Sequence, residues 1–137
     1  MGIVYTAWNA EIVGTLLHSA QSRLLDLGFQ ANHIRLLEVP GAFELPLGAQ
    51  SLFEQHQLDG VICLGAVIKG DTPHFDFVSQ ACTQGILRVG LDYKKPCIFG
   101  VLTVLNTEQA LARIAGGSVG DKGQEAADTL LHLLQRL

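Results

Sequence analysis

The sequence predicts an α/β fold, a four-stranded parallel sheet with helices on both faces. Short apolar, β-branched runs alternate with helix-period segments along the whole chain, the order expected of parallel strands joined by crossover helices. The strand runs are nearly all apolar rather than alternating, as strands covered on both faces are. No linker, repeat or low-complexity stretch interrupts the 137 residues, so residues 1–137 form one expected domain.

Taken in order, Gly2 to Trp8 is the first strand, so the opening strand begins at residue 2. From Ala10 to Leu27 the residues Ile12, Leu16, Ala20 and Leu24 recur at helical spacing, with Val13, Leu17 and Leu27 widening the stripe. Gly28 stands where a glycine ends a helix. HIRLLEV (33–39) reads as the second strand, and ELPLGAQSLFEQH (44–56) as a helix with Pro46 in its first turn. GVICLGAV (60–67) is the third strand. Pro73 to about Tyr93 is the third helix, one face marked by Val78, Cys82, Ile86 and Val89. CIFGVLTV (97–104) is the fourth strand. Thr107 to Ala115 is a short helix, GGSVGDKG a glycine-rich break, and Gln124 to Leu137 the last helix.

Hydrophobic residues make up 48% of the chain and charged residues 16%, too apolar for disorder and rich for a monomer's surface. The excess points to a buried subunit interface, or equally to a thick α/β core. A net charge of −4 leaves no basic stripe to neutralise phosphates, which argues against nucleic acid. A small anion needs only one or two placed cations and is not excluded. Cys63, Cys82 and Cys97 are odd in number, widely spaced and set in apolar runs. They read as reduced core thiols, and no pair has metal-ligand spacing. No basic segment followed by an apolar one opens the chain, and no apolar stretch reaches membrane-spanning length. The expectation is a soluble cytoplasmic protein.

In open α/β sheets, ligands bind beyond the carboxyl ends of the strands, and four segments fall there. In TAWNAE (6–11), Trp8 and Asn9 follow the first strand; Trp8 either stacks on a flat heterocycle or packs on its own sheet. In VPGAFELP (39–46), the helix begins without Ser, Thr, Asp or Asn around Gly41 and Ala42. Its first amides lack the usual side-chain acceptor and are open to water or a ligand's oxygens. Glu44, in that first turn, complements the helix dipole or accepts from ligand hydroxyls.

In GAVIKGDTPHFD (65–76), Thr72 as N-cap and Pro73 at the first helical position start a helix. Gly70 frees the backbone before them, so amides at Asp71, Thr72 and nearby can converge on an oxyanion. His74 lies in the first turn beside such an anion. The helix start disfavours its cation and the anion favours it, a balance that suits a proton shuttle near neutral pH. The fourth segment runs from Ile98 to Glu125. It holds Phe99 inside the last strand, with Arg113 and Lys122 on or after the short helix. Arginine offers a two-pronged fork for phosphate, although a solvated surface charge is the ordinary explanation of either cation.

Together these segments resemble the 6,7-dimethyl-8-ribityllumazine synthase family, enzymes of the penultimate step of riboflavin biosynthesis. WN after the first strand, VPGAFELP, GAVIKGDTPHFDFV, PCIFGVLT, EQALARIAG and GDKGQEAA occur in that family's order and spacing and cover essentially the whole chain. The resemblance implies a three-layer, flavodoxin-like sheet and a transferase without cofactor or metal. Such an enzyme joins 5-amino-6-(D-ribitylamino)uracil to 3,4-dihydroxy-2-butanone 4-phosphate and releases phosphate and water. Positioning of two substrates then outweighs acid–base help.

By position, the resemblance implies that Trp8 stacks on the pyrimidine, where many relatives have phenylalanine. Ala42, Phe43 and Glu44 line the ribityl side, and Ala66, Val67 and Ile68 present backbone groups to the uracil edge. Asp71 and Thr72 cradle the phosphate, and His74 donates and accepts protons. Phe99 and Arg113 match residues that reach in from a neighbouring subunit, Arg113 to clamp the phosphate. Lys122 sits near the ring, with Glu125 fixing it. The implied partner is a second copy, in a homopentamer with sites between neighbours.

Three features depart from the family pattern. Lys69 stands where arginine is common, which keeps the charge and loses the fork. Residues that in many relatives add a strand to a neighbour's sheet have no counterpart before the first strand. AGGSVGDKG is one residue longer than in relatives that form closed shells. The last two weigh against a sixty-subunit shell and leave the pentamer implied. Two alternatives share the fold: the archaeal type of riboflavin synthase, which joins two lumazines, and a non-catalytic lumazine- or flavin-binding protein.

Overall fold

A computed structural model describes residues 1–137. The apolar runs form four strands, β1 (Gly2–Thr6), β2 (Arg35–Val39), β3 (Val61–Ile68) and β4 (Cys97–Val104). The helix-period segments form α1 (Ala10–Asp26), α2 (Leu45–Gln55), α3 (His74–Tyr93), α4 (Thr107–Leu111) and α5 (Lys122–Leu134). Every strand pair is parallel, and the order across the sheet is β2-β1-β3-β4. This is the flavodoxin-like order, in which the direction of winding reverses between β1 and β3.

Side-chain alternation assigns the two faces of the sheet. Ile62 and Leu64 of β3, with Ile98 and Leu102 of β4, pack under α1 and α5 against Leu16 and Leu130. Val61, Cys63 and Val101 point the other way, beneath α2 and α3, where they meet Leu45, Cys82 and Ile86. The expected three layers are therefore present. The outer layers are fixed by close approaches. A Cβ on Gly123 of α5 would stand 2.4 Å from the Leu16 carbonyl oxygen of α1, so only glycine lets those helices touch backbone to backbone. On the other face, Gly85 of α3 accepts the ring of Pro46, whose Cγ would lie 2.4 Å from an added Cβ.

Several boundaries differ from the sequence reading, each for a local reason. β1 ends at Thr6 rather than Trp8, because the chain veers toward β2: Ala7 N donates to Val39 O at 2.8 Å and Trp8 N to Pro40 O at 3.1 Å. β2 starts at Arg35 because Ala31–His33 closes a 3₁₀ turn. Thr72 is not the N-cap of α3. Pro73 holds that position, its carbonyl accepting from Asp76 and Phe77, while Thr72 Oγ1 takes the His74 amide at 3.4 Å. α4 stops at Leu111, short of Ala115, because Ala112 O is taken by the returning amides of Val119 and Gly120. α5 begins at Lys122, since Asp121 Oδ1 caps Gly123 N and Gln124 N, and it ends at Leu134. Gly28 has the left-handed φ of 98° expected after a helix.

The three cysteines are free thiols. Cys63 Sγ lies 3.9 Å from Cys97 Sγ, and that contact, with burial, raises the Cys63 thiol well above its ordinary range. Burial alone pushes Cys82 up to about 12. No helix is long and apolar enough to cross a membrane.

Candidate active site

The reversal between β1 and β3 opens a crevice at the carboxyl end of the sheet. β3 pairs with β1 only as far as Tyr5↔Leu64, but with β4 as far as Ile68↔Val104. Residues 65–68 thus run past the β1 register. Backbone groups alternate sides along a strand. Lys69 N donates across β4 to Val104 O at 2.9 Å, so Ala66 and Ile68 turn their backbone groups toward the crevice. Asn9 Nδ2 meets the Ala66 carbonyl there at 3.0 Å.

The crevice is a cleft of about 480 Å³, a size suited to a small molecule. Thr6, Trp8 and Asn9 come from the end of β1, and Gly41 with a 3₁₀ turn, Ala42–Glu44, from the connection to α2. Ala66, Val67 and Ile68 come from β3, and His74, Phe77 and Val78 from the first two turns of α3. Eight residues singled out from sequence therefore share one cavity. They arrive there from four separate segments.

Trp8 lies on Gly41: a Cβ on that glycine would stand 2.5 Å from Cε3 and 2.6 Å from Cζ3 of the indole. The ring is still 67% exposed and lines the cleft. Trp8 thus packs on its own fold and still borders the cleft. Glu44 Oε2 accepts from Gly41 N at 3.0 Å, while Glu44 N donates to Gly41 O at 3.1 Å. The carboxylate closes its own turn, and no side chain caps either that turn or α2. The acceptor missing from the sequence at this helix start is missing in the structure as well.

Five predicted residues lie outside the cleft lining. Asp71 and Thr72 are exposed on the loop just before His74. Phe99 is on β4 and 38% exposed. Arg113 follows α4 and donates from Nη1 to Gln109 O at 2.8 Å. Lys122 is the first residue of α5, with Nζ 3.7 Å from Glu125 Oε1, the pairing expected for Glu125. A lysine there sits at the positive end of the helix dipole, unfavourable by about 0.3–1 kcal/mol. Lys122 N donates to Arg113 O at 2.9 Å, so one folded-back loop carries both cations.

Thr6, Asn9, Gly41, Phe77 and Val78 line the cleft without having been assigned to it from sequence. Phe77 had a readable signal, since it lies three residues after His74 on one helix face. Asn9 had only its position after the strand. No group of three or more His, Cys, Asp or Glu side chains is placed to hold a metal ion.

Residues 1–137 match the family profile of 6,7-dimethyl-8-ribityllumazine synthase. The chain belongs to that family. It is 51% identical over 133 residues to the 6,7-dimethyl-8-ribityllumazine synthase of Cytophaga hutchinsonii, covering 97% of this chain and 83% of the relative. The enzyme of the same name from Porphyromonas gingivalis is 46% identical over 133 residues, covering 97% and 82%. That of Coxiella burnetii is 43% identical over 135 residues, covering 98% and 89%. Membership of the lumazine synthase family makes the chain an enzyme, a transferase of riboflavin biosynthesis.

Proposed function

We propose that the cleft condenses 5-amino-6-(D-ribitylamino)uracil with 3,4-dihydroxy-2-butanone 4-phosphate to 6,7-dimethyl-8-ribityllumazine. The amine attacks the ketone and loses water to give an imine, phosphate is eliminated, and the ribityl nitrogen closes the second ring with loss of another water. The observation that carries this reading is the full-length family match on a chain whose cleft unites Trp8, Glu44 and His74.

In this reading Trp8 stacks on the pyrimidine, and Ile68 offers its backbone to the polar edge of the ring. Ala42, Phe43 and Glu44 flank the ribityl chain, with Glu44 Oε1 free to accept from hydroxyls. Ala66 and Val67 form the floor. His74 passes protons between the intermediates, and the amides of Asp71 and Thr72 hold the phosphate. Phe99 and Arg113 serve the cleft of a neighbouring copy, a role supported by their lying away from the cleft of their own chain, and Lys122 sits near the ring. A homopentamer is further supported by exposed apolar side chains of the α2 and α3 layer: Phe43, Leu47, Phe77, Leu87 and Leu91 are each 61–70% exposed. A cytoplasmic location goes with three unpaired thiols.

Mixing the two substrates with purified protein tests the reaction. Lumazine fluorescence and released phosphate, appearing only when both substrates are present, are expected. Consumption of added lumazine, or binding of either substrate without turnover, would overturn it. Light scattering should return five chain masses, or a multiple of five, and a monomer would remove the shared site.

A further inference from the structure

The β3 wall of the cleft ends on backbone whose partner strand has already turned away. In a continued parallel ladder, the Ala66 carbonyl would take the amide of Trp8. That amide is committed elsewhere, to Pro40 O at 3.1 Å on the β2 side. The Asn9 carboxamide takes its place at 3.0 Å, bridging 57 residues of sequence.

Two further observations single out this side chain. Asn9 sits at φ 58°, ψ 43°, left-handed backbone that only two non-glycine residues of the chain adopt. It also occupies the N-cap of α1, where an asparagine normally accepts an amide of the first turn, and it makes no such bond. The left-handed turn carries the side chain away from its own helix and onto β3. The cleft wall gains a donor that neither strand supplies, and α1 goes without its side-chain cap.

We propose that Asn9 is a positioning residue for the reaction. Its carboxamide holds the last residues of β3 in ladder register, so that the backbone of Ile68 stays presented to the pyrimidine after β1 has left the sheet. The kinetic half of this inference rests on the proposed reaction; the structural half does not. Removing the carboxamide without disturbing the turn separates the two. Glycine adopts the left-handed region freely, so Asn9→Gly keeps the turn and loses only the donor. Asn9→Asp keeps a tolerated residue but sets a carboxylate against the Ala66 carbonyl.

In the ligand-free protein, Asn9→Gly should speed hydrogen exchange of the 65–69 amides at least fivefold and leave those of β2 unchanged. With substrates, both variants should raise the KM for the pyrimidine about five- to tenfold, the worth of one hydrogen bond. The KM for the butanone phosphate should stay within about twofold, and emission from Trp8, the sole tryptophan, should be unmoved in Asn9→Gly. Unchanged exchange overturns the inference. So does faster exchange with an unaltered pyrimidine KM, an equal rise in both KM values, or a shifted Trp8 emission, which would route the effect through the indole. Exchange needs no substrate, so it reports on Asn9 even in a preparation that forms no lumazine, a failure that counts against the proposed reaction alone.

Discussion

Replacing Gly41 with alanine tests the geometry of the ring-binding wall. The backbone at Gly41 has φ −142° and ψ −179°, extended conformation open to any residue, so an alanine there strains nothing in the chain. The added methyl meets Trp8 instead. It would stand 2.5 Å from Cε3 and 2.6 Å from Cζ3, about 1 Å inside the ~3.5 Å at which carbons touch. The indole is two-thirds exposed and can give way, so folding should lose under about 1 kcal/mol, as at a surface site. The ring must move by about that 1 Å, and misplacement on that scale costs up to about a hundredfold in rate. We expect kcat/KM for the pyrimidine to fall ten- to a hundredfold, about 1.4–2.7 kcal/mol. The assay is steady-state kinetics for each substrate, with Trp8 emission followed in parallel. Trp8→Phe shortens the ring, so Gly41→Ala should cost much less in that background, a non-additivity of at least about 1 kcal/mol. Unchanged pyrimidine kinetics with unchanged Trp8 emission in Gly41→Ala would refute the reasoning.

Three further outcomes follow from the same structure. Arg113→Ala should raise the KM for butanone phosphate ten- to a hundredfold, about the worth of a charged two-pronged contact, whereas His74→Ala should slow turnover only about tenfold because orientation dominates; an unaltered KM in Arg113→Ala contradicts that ranking. Gly123→Ala should destabilise by about 1–3 kcal/mol, since its methyl would lie 2.4 Å from Leu16 O, while Gly14→Ala on the same α1 has nothing within 4 Å and should stabilise by about 0.5–1 kcal/mol; urea midpoints moving the same way in both variants would refute the packing argument. Tyr93 Oη donates to Glu54 Oε1 at 2.5 Å, and that bond, then burial, raises the phenol from 10.0 to about 12. The folded state holds this proton more tightly than the unfolded chain, so the stabilisation is whole below pH 10 and is lost as pH climbs through 12. The gap in thermal midpoint between wild type and Tyr93→Phe should therefore be steady up to pH 10 and close above it; a gap that widens there opposes the assignment.

Where periodicity was strong, the elements were legible: the bounds of β4 fall where CIFGVLTV begins and ends, and α1 lies within one residue of its expected end. Element ends were less legible where a distant carbonyl competes for an amide. Pro40 draws Trp8 out of β1, and Ala112 draws Val119 and Gly120 back over the end of α4. Neither competitor is visible in a local window. Trp8, Ala42, Phe43, Glu44, Ala66, Val67, Ile68 and His74 were legible because each sits at the end of a strand, just past one or at a helix start, places a sequence marks with apolar runs and glycines. Asn9 and Gly41 were not, because their parts depend on contacts across 57 residues and on an indole settling over a missing side chain. Arg113 and Lys122 lie on one folded-back loop, where Arg113 Nη1 donates to Gln109 O and Lys122 pairs with Glu125, and the strand-end rule that marks the cleft does not reach them.

The unequal lengths of β1 and β3 bear on how ligand and fold depend on each other. Most sheets leave unpaired polar backbone only at their outer margins, where neighbours or charges shield it. Here the crevice-facing backbone of Ile68 lies mid-sheet with no β1 residue opposite it. A planar heterocycle carrying amide-like donors and acceptors along one side can act as a short surrogate strand and finish the pairing that the polypeptide abandons. The protein with its pyrimidine bound is then the more completely hydrogen-bonded sheet. Occupancy at a hundred times the dissociation constant would add about 2.7 kcal/mol to its resistance to unfolding. Substrate supply would in this way set how long the folded enzyme survives as well as how fast it works.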